Sequence, residues 1–444
     1  KQKTAYEIGV RLVGSEMCIR DRSKDVHGWI IRSGTAITDQ MIKSSKNLQV
    51  IGRAGVGVDN IDISTATRKG IVVMNTPDVN TISAAEHTLA MILTLSRNIA
   101  VGDSGLKEGK WNRHELIGSE LRNKTIGIVG MGKIGREVMT RCRSFNMKIL
   151  GYDPFMSQEM FNTEEVRIVE LDELVSKSDI ISVHVPLTDS TKDLFDYKRL
   201  SLMKSSARII NVARGGIINE PDLAKALSEG IIAGAAIDVF TSEPLEKSNP
   251  LVNSPNVVLT PHLGASTQEA KEGVSIAICE QVCNYLINEK LNNAVNMPIS
   301  DIAKLKEIQI YLDISELMGN LQGQLNPGAI KRVQVECSGL IDESKSVALA
   351  FMKGLLSNRI PDRVNFINAE SLAIDLGISI EHSYTNNSGS YNNLIRTRVS
   401  TKDDATRIAG SIFGGNRPRL VNILGYEMDL SPYGTMLFLS LIHI

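Results

Sequence analysis

The sequence predicts an α/β protein built on parallel sheets, and three observations carry that prediction. Short apolar runs alternate with helix-patterned stretches from Ser23 to about residue 298. The strand-like runs are apolar almost throughout, as parallel strands covered on both faces require. One of them passes straight into a glycine-spaced turn and a helix.

Taken in order, "HGWIIRSG", "NLQVIGRAG" and "GIVVMNTP" read as buried strands, each closed by Gly, Pro or polar residues. "SAAEHTLAMILTLSRN" follows as a long helix, apolar nearly all round, so both its faces are expected to be covered. Strands resume at "KTIGIVG", "KILGYDP", "DIISVHVP", "ARIINVA", "AGAAIDVF" and "NVVLTPH", before a long helix over roughly 267–289. After "NNAVNMP" the texture changes. A helix near "YLDISELMGNLQGQL" and strands at "RVQVECSG" and "NLIRTRVS" predict a separate α+β unit over 299–430.

At 444 residues the chain has material for two to four domains. A net charge of −1 with 22% charged residues gives no reason to expect nucleic acid or an acidic membrane as partner. No apolar run approaches the length of a membrane-spanning helix. The five cysteines (Cys18, Cys142, Cys279, Cys283 and Cys337) offer no zinc-ligand spacing. They read as reduced and buried, which suits a cytoplasmic protein, and no metal is expected. Residues 1–22 and the closing "LSLIHI" resemble translated sequencing-adapter read-through and are set aside from fold reasoning.

"TIGIVGMGKIGREVMTRCRSFNMKILGYDP" is the most informative stretch. A strand enters Gly130-x-Gly132-x-x-Gly135, with Lys133 and Ile134 inside the motif. A helix runs to about Arg143, and the next strand ends at Asp153, 18 positions after Gly135. Gly130 permits the tight turn, Gly132 allows backbone to approach a pyrophosphate, and Gly135 allows close helix–strand packing. The helix N-terminus offers free N–H groups and a favourable dipole to phosphate. Strand, turn, helix and acidic residue in this order predict a dinucleotide site. Asp153 would accept hydrogen bonds from ribose hydroxyls and repel a 2′-phosphate, so NAD is expected over NADP.

Arg214, Glu243 and His262 follow three later strands, at the ends where open α/β sheets bind ligands. Singly, each has a plain structural reading: a surface ion pair, a solvated loop carboxylate and a packing histidine. Together they are the types that a hydroxy-acid oxidation needs, namely a cation for the substrate carboxylate, a carboxylate to orient a base, and the base itself.

The stretches "IIRSGTAIT", "VIGRAGVGVDNID", "SAAEH", "GMGKIGREV", "NVARGG", "AAIDVFTSEP" and "TPHLGAST" resemble the D-isomer-specific 2-hydroxyacid dehydrogenases nearly continuously from residue 27 to about 295. The forms "RAGVGVDNID" and "TPHLGAST" match the long-form branch that oxidises D-3-phosphoglycerate to 3-phosphohydroxypyruvate, the first step of the phosphorylated route to L-serine.

The resemblance implies His262 as acid–base residue, Glu243 as its orienting partner and Arg214 as the grip on the substrate carboxylate. It implies Val185, Val212, Ala213, Asp238, Gly264 and Ala265 beside NAD, and Arg32, Ser33, Asn80 and Arg113 as substrate contacts, Arg113 reaching from a neighbouring subunit. The implied fold is a Rossmann-type NAD-binding domain (76–262) and a flavodoxin-like substrate domain split in sequence (23–75 and 263–298), with NAD in the cleft between them. An α+β intervening regulatory domain (299–430) follows, with the start of a truncated ACT domain at 431–444. A homodimer or homotetramer is implied. The family's βαβα segment before "HGWIIRSG" is expected to be missing, the serine-sensing ACT domain to be cut off within its opening strand, "GTMLFL", and serine control to be lost with it. A glyoxylate- or hydroxypyruvate-reductase activity and an NAD-sensing corepressor remain the alternatives.

Overall fold

The computed structural model describes residues 25–436, except 163–164, 289, 298–306, 327, 340–341, 361–362, 388 and 403. The readings of 1–22, of the chain end after Met436 and of Cys18 lie outside the described residues. The chain divides into two compact units, one of Pro77–Ile276 and one of the residues on either side, up to Thr76 and from Ala277.

The unit of Pro77–Ile276 is built on one seven-stranded parallel sheet. Its strands are β4 (Thr125–Val129), β5 (Lys148–Tyr152), β6 (Arg167–Ile168), β7 (Ile180–Val183), β8 (Arg208–Asn211), β9 (Gly234–Ile237) and β10 (Val257–Leu259). They lie in the order β10-β9-β8-β7-β4-β5-β6, so the order reverses between β4 and β7. That reversal is the doubly wound arrangement, and ligands bind outside the carboxyl ends of the strands there. Successive residues feed opposite faces: Ile181 and Ile209 enter one core, Ile180 and Ile210 the other. This is why β9 reads as an unbroken apolar run and β7 as one interrupted only by the buried Ser182.

Helix α1 (Thr81–Ser96) packs on this sheet. Its expected all-round cover is incomplete. Ile82, Glu86 and Ala90, four residues apart, form an exposed stripe, while Ala84, Ala85, Thr88, Leu89, Met91 and Ile92 are buried. Helix α2 (Lys133–Ser144) buries Gly135, Val138, Met139 and Cys142, the spacing of one helical face.

The other unit holds a three-stranded parallel sheet, β1 (Gly28–Ile31), β2 (Val50–Arg53) and β3 (Val72–Met74), in that order. Ile278 and Val282, from the later half of helix α3 (Gln268–Asn288), lie over β2.

The same unit carries a six-stranded, mostly antiparallel sheet with helices α4 (Gln309–Leu325) and α5 (Ser344–Ser357) against it. Its strands are β11 (Arg332–Gly339), β12 (Ser379–Thr385), β13 (Asn393–Ser400), β14 (Ala405–Phe413), β15 (Arg417–Ile423) and β16 (Tyr426–Leu430). The sequence foresaw only β11, β13 and α4. Edge strand β12 is exposed over most of its length, and a strand that buries so little carries no apolar period to read.

Cys142 and Cys337 are buried, and burial pushes each thiol up to about 12. Cys283 is exposed, against expectation, because it lies on the open side of α3. Among the described residues no helix is long and apolar enough to cross a membrane, and no group of side chains could hold a metal ion.

Candidate active site

The glycine turn stands at the switch point. Gly130 has φ +100°, and a Cβ there would lie 2.7 Å from the carbonyl oxygen of His184, which follows the neighbouring strand β7. A Cβ on Gly135 would lie 2.1 Å from the carbonyl oxygen of Gly130, so only glycine lets α2 start so close to β4. A Cβ on Gly132, by contrast, would meet nothing within 4 Å. The turn is thus tight on the protein side and open where a pyrophosphate would approach, so these residues fit a dinucleotide. Lys133 opens the helix and is ion-paired with Asp78. Val185 packs at Gly130.

Asp153 is held from both sides. Its Oδ2 accepts from the Met131 N–H at 2.9 Å and its Oδ1 from the Phe155 N–H at 3.0 Å. The first bond ties the end of β5 to the glycine turn.

Arg214, Glu243 and His262 follow β8, β9 and β10, three adjacent parallel strands, so the topology brings all three to one edge of one sheet. His262 Nδ1 and Glu243 Oε2 are 2.8 Å apart. A carboxylate can only accept, so Nδ1 carries the proton and Nε2 presents its lone pair. The other oxygen of Glu243 accepts from the Phe240 N–H at 3.1 Å, which fixes the carboxylate. His262 has φ +53°, a left-handed conformation uncommon outside glycine, and its N–H donates to the carbonyl oxygens of Asp238 and Thr260. Arg214 lies in a turn closed by Asn211, whose side chain accepts from the Ala213 N–H and donates to the Arg214 carbonyl.

Asp238 is fully buried and holds the histidine turn together. Its Oδ1 accepts from the Thr260 hydroxyl at 2.6 Å and the Leu263 N–H at 2.8 Å, its Oδ2 from the Gly264 N–H at 2.9 Å. Burial alone would raise this carboxyl. Hydrogen bonds from His87, Thr260 and the backbone of Leu263 and Gly264 outweigh it and hold the group below the ordinary carboxylate value. Val212 packs beside Gly264.

Sequence reasoning missed Glu220, a buried carboxylate at the start of the helix after β8. It accepts from the Thr241 N–H and hydroxyl at 2.6 and 2.7 Å and from the Asn249 amide, so it clamps both ends of the loop that carries Glu243. Asn80 precedes α1, and its Oδ1 is buried without a hydrogen-bond partner among the described residues. Arg113 is exposed in this unit. Arg32 and Ser33 are exposed after β1, in the other unit.

The doubly wound sheet, the glycine turn and the His–Glu pair define the class of nicotinamide-dependent dehydrogenases. Residues 89–264 match the D-isomer specific 2-hydroxyacid dehydrogenase NAD-binding domain, and residues 307–424 match the D-3-phosphoglycerate dehydrogenase intervening domain. D-3-phosphoglycerate dehydrogenase of Archaeoglobus fulgidus is 39% identical over 436 residues, covering 98% of this chain and 82% of that protein. The Homo sapiens protein of the same name is 40% identical over 365 residues, 82% of this chain and 68% of that protein. Among solved structures, NAD-dependent formate dehydrogenase from Staphylococcus aureus in complex with NAD aligns with a TM-score of 0.59 and 32% identity, covering 64% of this chain and 86% of that chain. The chain belongs to the D-3-phosphoglycerate dehydrogenase family. It is an NAD-dependent dehydrogenase.

Proposed function

We propose that the chain oxidises the C2 hydroxyl of D-3-phosphoglycerate to the ketone of 3-phosphohydroxypyruvate, the step that opens the phosphorylated route to L-serine. The observation that carries the catalytic part is the bond between His262 Nδ1 and Glu243 Oε2, which leaves Nε2 as a base. The family membership supports the substrate. NAD, when bound, would supply the acceptor for the hydride that leaves C2.

The chain's own residues do the rest. His262 Nε2 takes the hydroxyl proton, and Glu243 balances the imidazolium that results. Arg214 holds the substrate carboxylate in a planar, two-pronged grip. Gly130, Gly132, Lys133, Ile134 and Gly135 would receive the pyrophosphate, and Asp153 the adenosine ribose. Asp238 with Val185, Val212, Ala213, Gly264 and Ala265 would border the nicotinamide. Asn80 is a proposed substrate contact, supported by its unpartnered Oδ1. Arg32, Ser33 and Arg113 are proposed on the sequence match alone. NADH formation with D-3-phosphoglycerate, set against glycerate, lactate and 2-hydroxyglutarate, tests the reading. Equal turnover of all four acids would remove the phosphate-specific part of it.

Arg214→Lys is expected to lower kcat/KM for the hydroxy acid at least about tenfold, roughly 1.4 kcal/mol, because a point charge cannot reproduce the planar grip. An equal loss with a neutral alcohol substrate would mark Arg214 as merely structural. Asp153→Ala should weaken NAD and relax discrimination against NADP, since one carboxylate supplies both the ribose acceptors and the repulsion. An unchanged NAD/NADP ratio of kcat/KM would mean that another residue reads the ribose.

A homodimer or homotetramer is proposed as the working form. Ile99, Val101, Leu106, Trp111 and Ile117 expose apolar surface along one short segment, Trp111 and Ile117 at 80% and 83%. Sedimentation at micromolar concentration reads the oligomer directly. The domain limits given by the sequence and a cytoplasmic location belong to the same proposal.

A further inference from the structure

His87 has no part in the chemistry above, yet it reaches the centre of the histidine turn. It projects from the first half of α1, a helix that packs on β9 and β10, and its side chain is only 18% exposed. Its Nε2 lies 3.2 Å from Asp238 Oδ1 and 3.3 Å from Thr260 Oγ1. The network assigns the proton. Asp238 is a carboxylate and can only accept, and Thr260 already donates its hydroxyl hydrogen to Asp238 Oδ1. Both atoms facing Nε2 are therefore acceptors, so Nε2 carries a hydrogen and donates.

We infer that His87 is a positioning residue for the proposed base: it donates to the Asp238–Thr260 pair and so locks the turn that carries His262 to helix α1. This rests on the reading of His262 as the base. The turn needs such a tie, because His262 holds a left-handed backbone and hangs on Asp238 through its own N–H. The Thr260 hydroxyl and the Leu263 and Gly264 N–H groups fix the turn to Asp238 at the end of β9. Among the described residues, only the long contact of the Thr260 hydroxyl with Met91 Sδ, 3.7 Å, reaches α1 from Thr260 besides that with His87. His87 is the donor that comes from a different element, and a rigid helix is what keeps a loop from drifting. A displacement of about 1 Å at a reacting group can cost on the order of a hundredfold in rate. The local sequence signal was a histidine on a largely apolar helix, next to Glu86 of its exposed stripe, in "SAAEHTLAMIL".

The test compares the parent chain with His87→Leu and His87→Gln. Leucine removes the donor at similar bulk, whereas the glutamine amide can place an N–H near the position of Nε2. The expected result for His87→Leu is a kcat at least about tenfold lower, with the NAD dissociation constant within about threefold and Tm within a few degrees of the parent. His87→Gln should recover kcat to within about threefold. In parallel, hydrogen exchange at the Leu263 and Gly264 amides should speed up in His87→Leu and return towards the parent rate in His87→Gln. A kcat within twofold of the parent and unchanged exchange in His87→Leu would overturn the inference. So would a loss that tracks NAD affinity and Tm and is not restored by glutamine. The exchange measurement needs no turnover. A parent inactive on all four hydroxy acids would therefore overturn the dehydrogenase reading, while exchange would still decide the role of His87.

Discussion

His262→Gln is expected to leave NAD binding nearly intact and to lower turnover by roughly two to four orders of magnitude, the usual range for a lost acid–base group. Glutamine can keep a hydrogen bond to Glu243, but its amide takes up no proton at neutral pH. The glycine turn and Asp153 lie at β4 and β5, on the far side of the switch point from His262, so dinucleotide binding should survive. Glu243→Gln should cost less and shift the pH profile, because the imidazolium formed in the reaction loses its charge partner. Fluorescence titration with NADH and initial rates of NADH formation read the two effects separately. Turnover of His262→Gln within threefold of the parent would remove His262 from the chemistry.

How far the sequence carried depends on where the information sits. Strands buried on both faces announce themselves: Ile180–Val183, with Ser182 its one polar residue, and Gly234–Ile237 are buried along their whole length because each face meets a core. The glycine fingerprint is equally local, since Gly130 and Gly135 answer steric demands of neighbours five residues away or one strand over. The partnership of His262 with Glu243 is not local. Nothing in the 18 intervening residues places Nδ1 beside a carboxylate, and the expectation came from the residue types that the chemistry needs and from the family resemblance. Glu220 and Thr260 show the limit more sharply. Their bonds to Thr241, Asn249 and Asp238 join segments that only the sheet order brings together, so no spacing in the chain predicts them. The later antiparallel sheet was half hidden for a different reason, because its exposed face leaves strands such as Ser379–Thr385 without an apolar rhythm.

Asp238→Asn should produce the largest structural loss. The carboxylate presents only acceptors, and donors fill both oxygens: Thr260, Leu263 and His87 at Oδ1, Gly264 at Oδ2. An amide of the same shape must turn its N–H2 towards one of those groups, leaving buried N–H or O–H donors without a partner. Each such donor costs about 1–3 kcal/mol. A destabilisation of roughly 2–4 kcal/mol follows, or a fall in Tm of roughly 5–15 °C for a unit of this size. Turnover should fall with it, because the same bonds hold the turn that carries His262. The pH dependence gives an independent check. Burial works against ionisation of Asp238, but its hydrogen bonds prevail and hold the group below its ordinary 3.8. A carboxyl depressed in the folded state contributes stability that is fully present above the unfolded value and is lost as pH falls through the folded one. The parent should therefore lose this increment only in acid, below about pH 4. The Tm gap between parent and Asp238→Asn, widest near neutrality, should narrow there. A gap that stayed constant into acid, or none at neutral pH, would mean that the carboxylate charge does not hold the turn.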